Sequence, residues 1–133
     1  MAPLSIRDDS RCPCGSGLNF AACCARALRG IPAATAEALM RSRYTANVVG
    51  DAGYLLQTWH PGTAPESIDL DAALRWTGLQ IVAVDGGGDA DARGVVEFAA
   101  DWRSAAGRGT LRERSRFVRQ SGRWWYLDGV VTR

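Results

Sequence analysis

Two neighbouring segments decide the fold: Arg93-Gly94-Val95-Val96-Glu97-Phe98-Ala99-Ala100-Asp101-Trp102-Arg103-Ser104 and Gly109-Thr110-Leu111-Arg112-Glu113-Arg114-Ser115-Arg116-Phe117-Val118-Arg119-Gln120. Successive side chains of a strand point to opposite faces. In the second segment Leu111, Glu113, Ser115 and Phe117 therefore oppose Arg112, Arg114, Arg116 and Val118. A row of three guanidinium groups belongs in water, so Glu113 and its companions point inward. In the first segment Val96, Phe98, Ala100 and Trp102 share one face and Val95, Glu97 and Ala99 the other. Adjacency allows Glu97 to join Glu113, the register being open at this stage.

Outward from this pair, residues 78–85 and 123–132 read as two more strands. Gly86-Gly87-Gly88-Asp89, Ala105-Ala106-Gly107-Arg108 and Ser121-Gly122 supply hairpin-like turns between the four. Upstream the period changes. Thr35 is a plausible N-cap for a helix over 36–48, in which Leu39, Met40, Arg43, Tyr44 and Val48 recur at helical spacing. Gly50 ends it. Asp51 opens a second short helix, stopped by His60-Pro61-Gly62, and Ser67-Ile68-Asp69-Leu70 suggests one further helical turn. Helices followed by an antiparallel meander indicate an α+β fold, with helices covering one face of a four-stranded sheet.

The first thirty residues are different in kind. All four cysteines lie there, as Cys12-Pro13-Cys14 and Cys23-Cys24, and the rest of the chain has none. Four thiolates close a tetrahedral zinc shell with no open position. Gly15-Ser16-Gly17 lets the backbone turn after the first pair, Phe20 can cover the site, and residues 21–29 look helical. So short a segment buries too little surface to fold alone, and structural zinc contributes about 10–16 kcal/mol. Disulfides and a redox site compete with this reading. Adjacent Cys23 and Cys24 do not easily bridge each other, and a redox pair usually shows Cys-x-x-Cys, which is absent. Gly30-Ile31-Pro32 then divides a zinc-binding module at 1–30 from a second domain at 31–133.

The charge is +2 overall and sits on the first module, since residues 31–133 hold twelve arginines against twelve carboxylates. All sixteen basic residues are Arg, which reads as the coding bias of a GC-rich genome. The start has no apolar core of a signal peptide, and no run approaches the roughly 20 apolar residues that span a bilayer. The expected location is the cytoplasm, where clustered thiols favour metal over disulfide.

The cysteine pattern resembles the SEC-C motif, the small zinc module at the C-terminus of the translocase motor SecA. Downstream, residues 39–44, 54–61, Val96-Glu97-Phe98, 113–117 and Arg123-Trp124-Trp125-Tyr126-Leu127-Asp128-Gly129 resemble the YchJ-like proteins. The resemblance implies a SEC-C finger joined to a cone-shaped, nuclear-transport-factor-2-like domain, in a bacterial family of largely uncharacterised role. Where SEC-C modules often carry Lys around the aromatic, this chain has Leu18, Asn19, Ala21 and Ala22.

In such a cone the enclosed face either packs solid or holds a ligand. Inward carboxylates Glu97 and Glu113 need partners, and Arg41, Arg43, Tyr44, Thr58, Trp59 and His60 can supply them. Ser115 and Tyr126 complete the candidate pocket. Two readings stand: a carboxylate base in a ligand or catalytic pocket, as in steroid-isomerase-like members of the fold, or a buried polar network tying helix to sheet. No catalytic residue is assigned, and His60 before Pro61 reads as a turn residue. Arg112, Arg114 and Arg116 with Trp102 or Trp125 nearby form the mixture that binds single-stranded nucleic acid, but strand arginines more often form a solvated face with neighbouring Asp101 and Asp128, and exposed aromatics there equally suit a homodimer face.

The leading functional expectation is a non-enzymatic accessory protein with structural Zn2+ at Cys12, Cys14, Cys23 and Cys24, its finger docking to a protein or ribosomal partner. The alternative is a small-molecule-binding protein or enzyme using the cone, which requires a cavity of about 300 Å³.

Overall fold

Residues 5–132 are described by a computed structural model; Met1–Leu4, part of the start read for a leader, and Arg133 lie outside them. A 3-10 turn at Phe20–Ala22 leads into α1 (Cys24–Leu28), α2 (Ala36–Val49) and α3 (Ala52–Gln57). Four strands follow: β1 (Arg75–Gly86), β2 (Arg93–Ser104), β3 (Gly107–Gln120) and β4 (Arg123–Thr132). They form one antiparallel meander in the order β1-β2-β3-β4, so the fold is α+β as expected. No helix among the described residues is long and apolar enough to cross a membrane.

The helix boundaries follow their caps. Thr35 Oγ1 accepts from the Ala38 amide at 3.0 Å, satisfying one of the donors a helix start leaves orphaned. Gly50 takes the left-handed conformation (φ 81°) that closes α2. Asp51 Oδ1 accepts from the Tyr54 amide at 2.9 Å and opens α3. The helical turn expected at 67–70 does not form. Polar and apolar residues alternate there, and an irregular stretch buries Ile68 and Leu70 partly against Ala46, Tyr54 and Leu55 while Asp69 stays exposed. A lone turn would have fixed several dihedrals for one hydrogen bond.

Register settles which side chains face inward, because residues directly opposite in an antiparallel pair share a face. Val96 faces Ser115, Phe98 faces Glu113 and Ala100 faces Leu111, all on the helix side. Glu97 faces Arg114 and so lies on the outer side, contrary to its expected place beside Glu113. Its carboxylate sits 3.9 Å from Arg112 and 3.7 Å from Arg114. Trp102 also departs from the arginine row: it pairs with Gly109 on the inner-face parity, its indole covering that glycine.

One apolar cluster unites the molecule. Leu39, Met40 and Tyr44 of α2 pack with Val96, Phe98, Ala100, Phe117 and Trp124 of the sheet, and Cys12, Cys14, Phe20, Cys24 and Ala25 belong to the same cluster. The finger is therefore packed on the core of the sheet domain and shares it.

The start of α2 is pinned on the β1–β2 hairpin. The Ala36 amide donates to Gly87 O at 3.0 Å. A Cβ at Gly94 would lie 2.6 Å from Gly87 Cα and 2.9 Å from Ala36 Cβ. Gly94→Ala is expected to cost about 1–3 kcal/mol by overpacking, seen as a lower denaturation midpoint. An unchanged midpoint would mean that this close approach carries no stability.

Candidate metal centre and cone pocket

The finger is built as a knuckle on a short helix. Cys12 donates its amide to Leu18 O at 2.8 Å, and Gly15 returns to Cys12 O at 3.3 Å. Gly15 and Gly17 supply the positive φ values, 79° and 86°, that this tight loop requires. Cys23 is the residue before α1 and Cys24 its first residue, so both thiols meet the pair from the knuckle. The four Sγ atoms lie within 4.8 Å of one another, with Cys14 and Cys23 at 3.5 Å. Metal–sulfur bonds of about 2.3 Å in a tetrahedron place sulfurs about 3.8 Å apart. The donor set and its spacing therefore fit a metal ion.

All four cysteines are free thiols, and three are buried. Hydrogen bonds from Cys12 and Cys24 hold the Cys14 thiol well below the usual thiol range. Cys24 is pushed far up by its hydrogen bonds to Cys12 and Cys14 and by burial. Four anionic sulfurs so close together repel one another, and a bound cation relieves that repulsion. Around them, Ser16 Oγ lies 3.1 Å from Cys23 Sγ, and Thr45 Oγ1 of α2 lies 3.9 Å from Cys12 Sγ.

Arg41 belongs to this centre and not to the cone. Its Nη1 donates to Cys14 O at 2.7 Å and its Nε to Glu37 at 3.0 Å. An α-helix turns about 100° per residue, so Arg41 and Arg43, two apart, look in nearly opposite directions.

Arg43 points into the cone and is only 9% exposed. Its Nη1 donates to Leu55 O and to Thr58 Oγ1, both at 2.7 Å. The Thr58 hydroxyl donates to Tyr54 O at 2.8 Å, which leaves its oxygen free to accept from Arg43. The guanidinium lies 4.3 Å from the Tyr126 ring centre and 5.4 Å from that of Trp59, a contact that partly offsets burial of a cation. Burial lowers its pKa to about 10. Trp59 and Tyr126 meet edge to face at 5.0 Å.

Glu113 meets the Tyr126 hydroxyl. Its Oε2 accepts from Ser115 Oγ at 2.5 Å and from Tyr126 OH at 3.2 Å. Burial, and then the Glu113 charge, push the Tyr126 phenol upward. Burial likewise raises Tyr44 to about 12. Gly129 makes room for this carboxylate, since a Cβ there would collide with Glu113 Oε2.

Arg43, Tyr44, Trp59, Glu113, Ser115 and Tyr126 line one cavity of about 260 Å³. Thr58 stands behind Arg43 as its support. His60 lies elsewhere: its amide donates to Tyr126 O, its Nδ1 accepts from the Gly62 amide at 3.0 Å, and Nε2 meets Gln120 Oε1 at 2.7 Å. With Nδ1 accepting, the proton sits on Nε2 and the ring serves the turn. Glu97 is on the outer face. Met40, Asn47, Leu55, Ile68, Leu70 and Trp76 also line the cavity and were not foreseen. Met40 and Asn47 stand three before and four after Arg43, so helical spacing carried that signal. Ile68 and Leu70 left no signal of this kind.

The outer arginine row is matched by carboxylates. Arg112 and Arg114 face Glu97, and Arg116 forms a two-point pair with Asp128 at 2.6 and 2.5 Å.

Comparison with known proteins agrees with this architecture. Residues 35–129 match the family described as "YchJ, middle NTF2-like domain", and residues 10–26 match the SEC-C motif. A UPF0225 protein of Streptomyces coelicolor is 52% identical over 119 residues, covering 89% of this chain and 93% of its own. One from Chromobacterium violaceum is 47% identical over 125 residues, covering 90% and 92%. The solution structure of a SEC-C motif containing protein from Rhodopseudomonas palustris has a TM-score of 0.79 at 32% identity, with 92% of this chain and 98% of that one covered. A second, from Psychrobacter arcticus, gives 0.72 at 27% identity, with 95% and 85% covered.

Because the cysteines and the sheet share one core, losing a ligand should not melt the finger alone. Cys14→Ser is expected to lower the unfolding midpoint of the whole chain in a single transition, monitored by tryptophan fluorescence and by amide exchange in β2 and β3. Selective loss of protection in residues 10–30, with the strands unchanged, would refute that coupling.

Proposed function

The chain belongs to the YchJ-like family, and we propose that it is a small-molecule-binding protein whose cone pocket is stabilised by a structural zinc finger. The observation that carries this reading is the 260 Å³ cavity, which holds Arg43 over the Tyr126 ring and Glu113 at its hydroxyl without joining the two charges in an ion pair. A purely structural tie would pair the two charges directly and close the space between them. The volume lies just under the usual range for ligand sites, which suits a compact ligand.

Zinc is the metal we assign to Cys12, Cys14, Cys23 and Cys24. Four thiolates with no open position suit a closed tetrahedral zinc site. The ion would supply folding energy and no chemistry, leaving Arg41, through Cys14 O, to connect the knuckle to α2. Thiolate ligands suit a reducing compartment, so we place the protein in the bacterial cytoplasm. No catalytic step is assigned, because Glu113 Oε2 is already committed to Ser115 and Tyr126.

Docking of a protein partner by the finger is a second reading, favoured by one observation. Leu18 and Ile31 are 53% and 51% exposed and border a surface groove that also shows Arg26. Replacing both by Ser while leaving the cysteines intact should remove specific partners from cross-linked complexes; identical partner sets would reject docking there.

For the main reading, purified protein is expected to carry one zinc per chain by elemental analysis. A screen of charged and neutral small molecules by amide and indole NMR should give saturable shifts at Trp59, Ser115 and Tyr126. Substoichiometric zinc after purification without chelator would count against the metal assignment. The absence of saturable shifts at the cavity would count against the pocket.

A further inference from the structure

Arg43 is an unusual group to find in an apolar cavity. It forms none of the ion pairs found among the described residues. Among the described residues only Nη1 has protein acceptors; Nε and Nη2 have none. Nor are these two nitrogens sealed off, since Trp59 Nε1 is the one closed-off side-chain polar atom without a partner among the described residues. A guanidinium held at one nitrogen by Leu55 O and Thr58, and lying against the Tyr126 ring with Trp59 beside it, has a fixed orientation. Its remaining edge therefore meets the cavity as a ready two-point donor, the shape that recognises a carboxylate.

We propose that the cavity binds a small monocarboxylate with an apolar body, the carboxylate docking on Nε and Nη2 of Arg43. This rests on the ligand-binding reading above and narrows it to a chemical class. Met40, Phe98, Leu111 and Phe117 offer the body apolar walls. Glu113, tied to the Tyr126 hydroxyl and to Ser115 in the same cavity, disfavours a second anionic group and so limits the ligand to one negative charge. An anion at Arg43 offsets the cost of leaving a buried cation with no directly paired counter-charge.

The test uses the intact zinc-loaded protein and two probes of equal shape, phenylacetate and its neutral amide, phenylacetamide. Each is titrated to about 10 mM, well above a millimolar dissociation constant, while the Arg43 Nε–H and Trp59 indole signals are followed by NMR. Phenylacetate is expected to bind at least about tenfold more tightly than the amide, with both signals shifting. Arg43→Gln, checked for folding by its amide spectrum, should erase that difference. Equal binding of the two probes in the wild type would overturn the carboxylate inference while leaving the pocket standing. Shifts confined to Arg112, Arg114 and Arg116 would overturn it as well, and no saturable shift with either probe would remove both it and the reading beneath it. If Arg43→Gln fails to fold, the two wild-type titrations still decide.

Discussion

The geometry of α2 is the constraint on which the rest of the molecule depends. A helix advances about 100° per residue, so five consecutive side chains leave it in five directions. Arg41 reaches the backbone of Cys14, Ser42 meets the Tyr54 hydroxyl at 2.6 Å, Arg43 enters the cone, Tyr44 packs into the core and Thr45 approaches Cys12. One rigid rod thus sets the cysteine knuckle, the second helix and the cavity relative to one another. A shift of α2 along its axis would disturb all three together.

The interior is organised by separating charges that could have met. Arg43 is oriented by Leu55 and Thr58, and Glu113 by Ser115 and Tyr126. Each charge is held by neutral neighbours, Arg43 over the Tyr126 ring and Glu113 at the Tyr126 hydroxyl. Burying charges without a direct partner costs stability, so this arrangement is understandable where the charges serve something that enters the cavity. On the outer face the opposite holds: Glu97 and Asp128 neutralise the arginine row in water, where such pairs contribute little.

Much of the fold was legible because its signals are local. The caps at Thr35 and Asp51, the stop at Gly50 and the strand alternation each need only a few neighbouring residues. The cysteine centre was legible for a related reason: metal chemistry demands a particular number of thiolates, and nothing else in the chain supplies them. The candidate pocket was legible only in part. Arg43, Tyr44, Trp59, Glu113, Ser115 and Tyr126 line the cavity, whereas Arg41, His60 and Glu97 serve the knuckle, a turn and the outer sheet face.

The sequence by itself determined the class of fold, the order of its elements and the four thiolates, since caps, period and ligand count act over short distances. The tertiary structure decided the register of β2 against β3, which sends Glu97 outward and Glu113 inward. It also decided that finger and sheet share one core, and that the space beside Arg43 stays open. Pairing parity, core sharing and a cavity are relations between segments far apart along the chain, and they exist only once the chain has closed on itself.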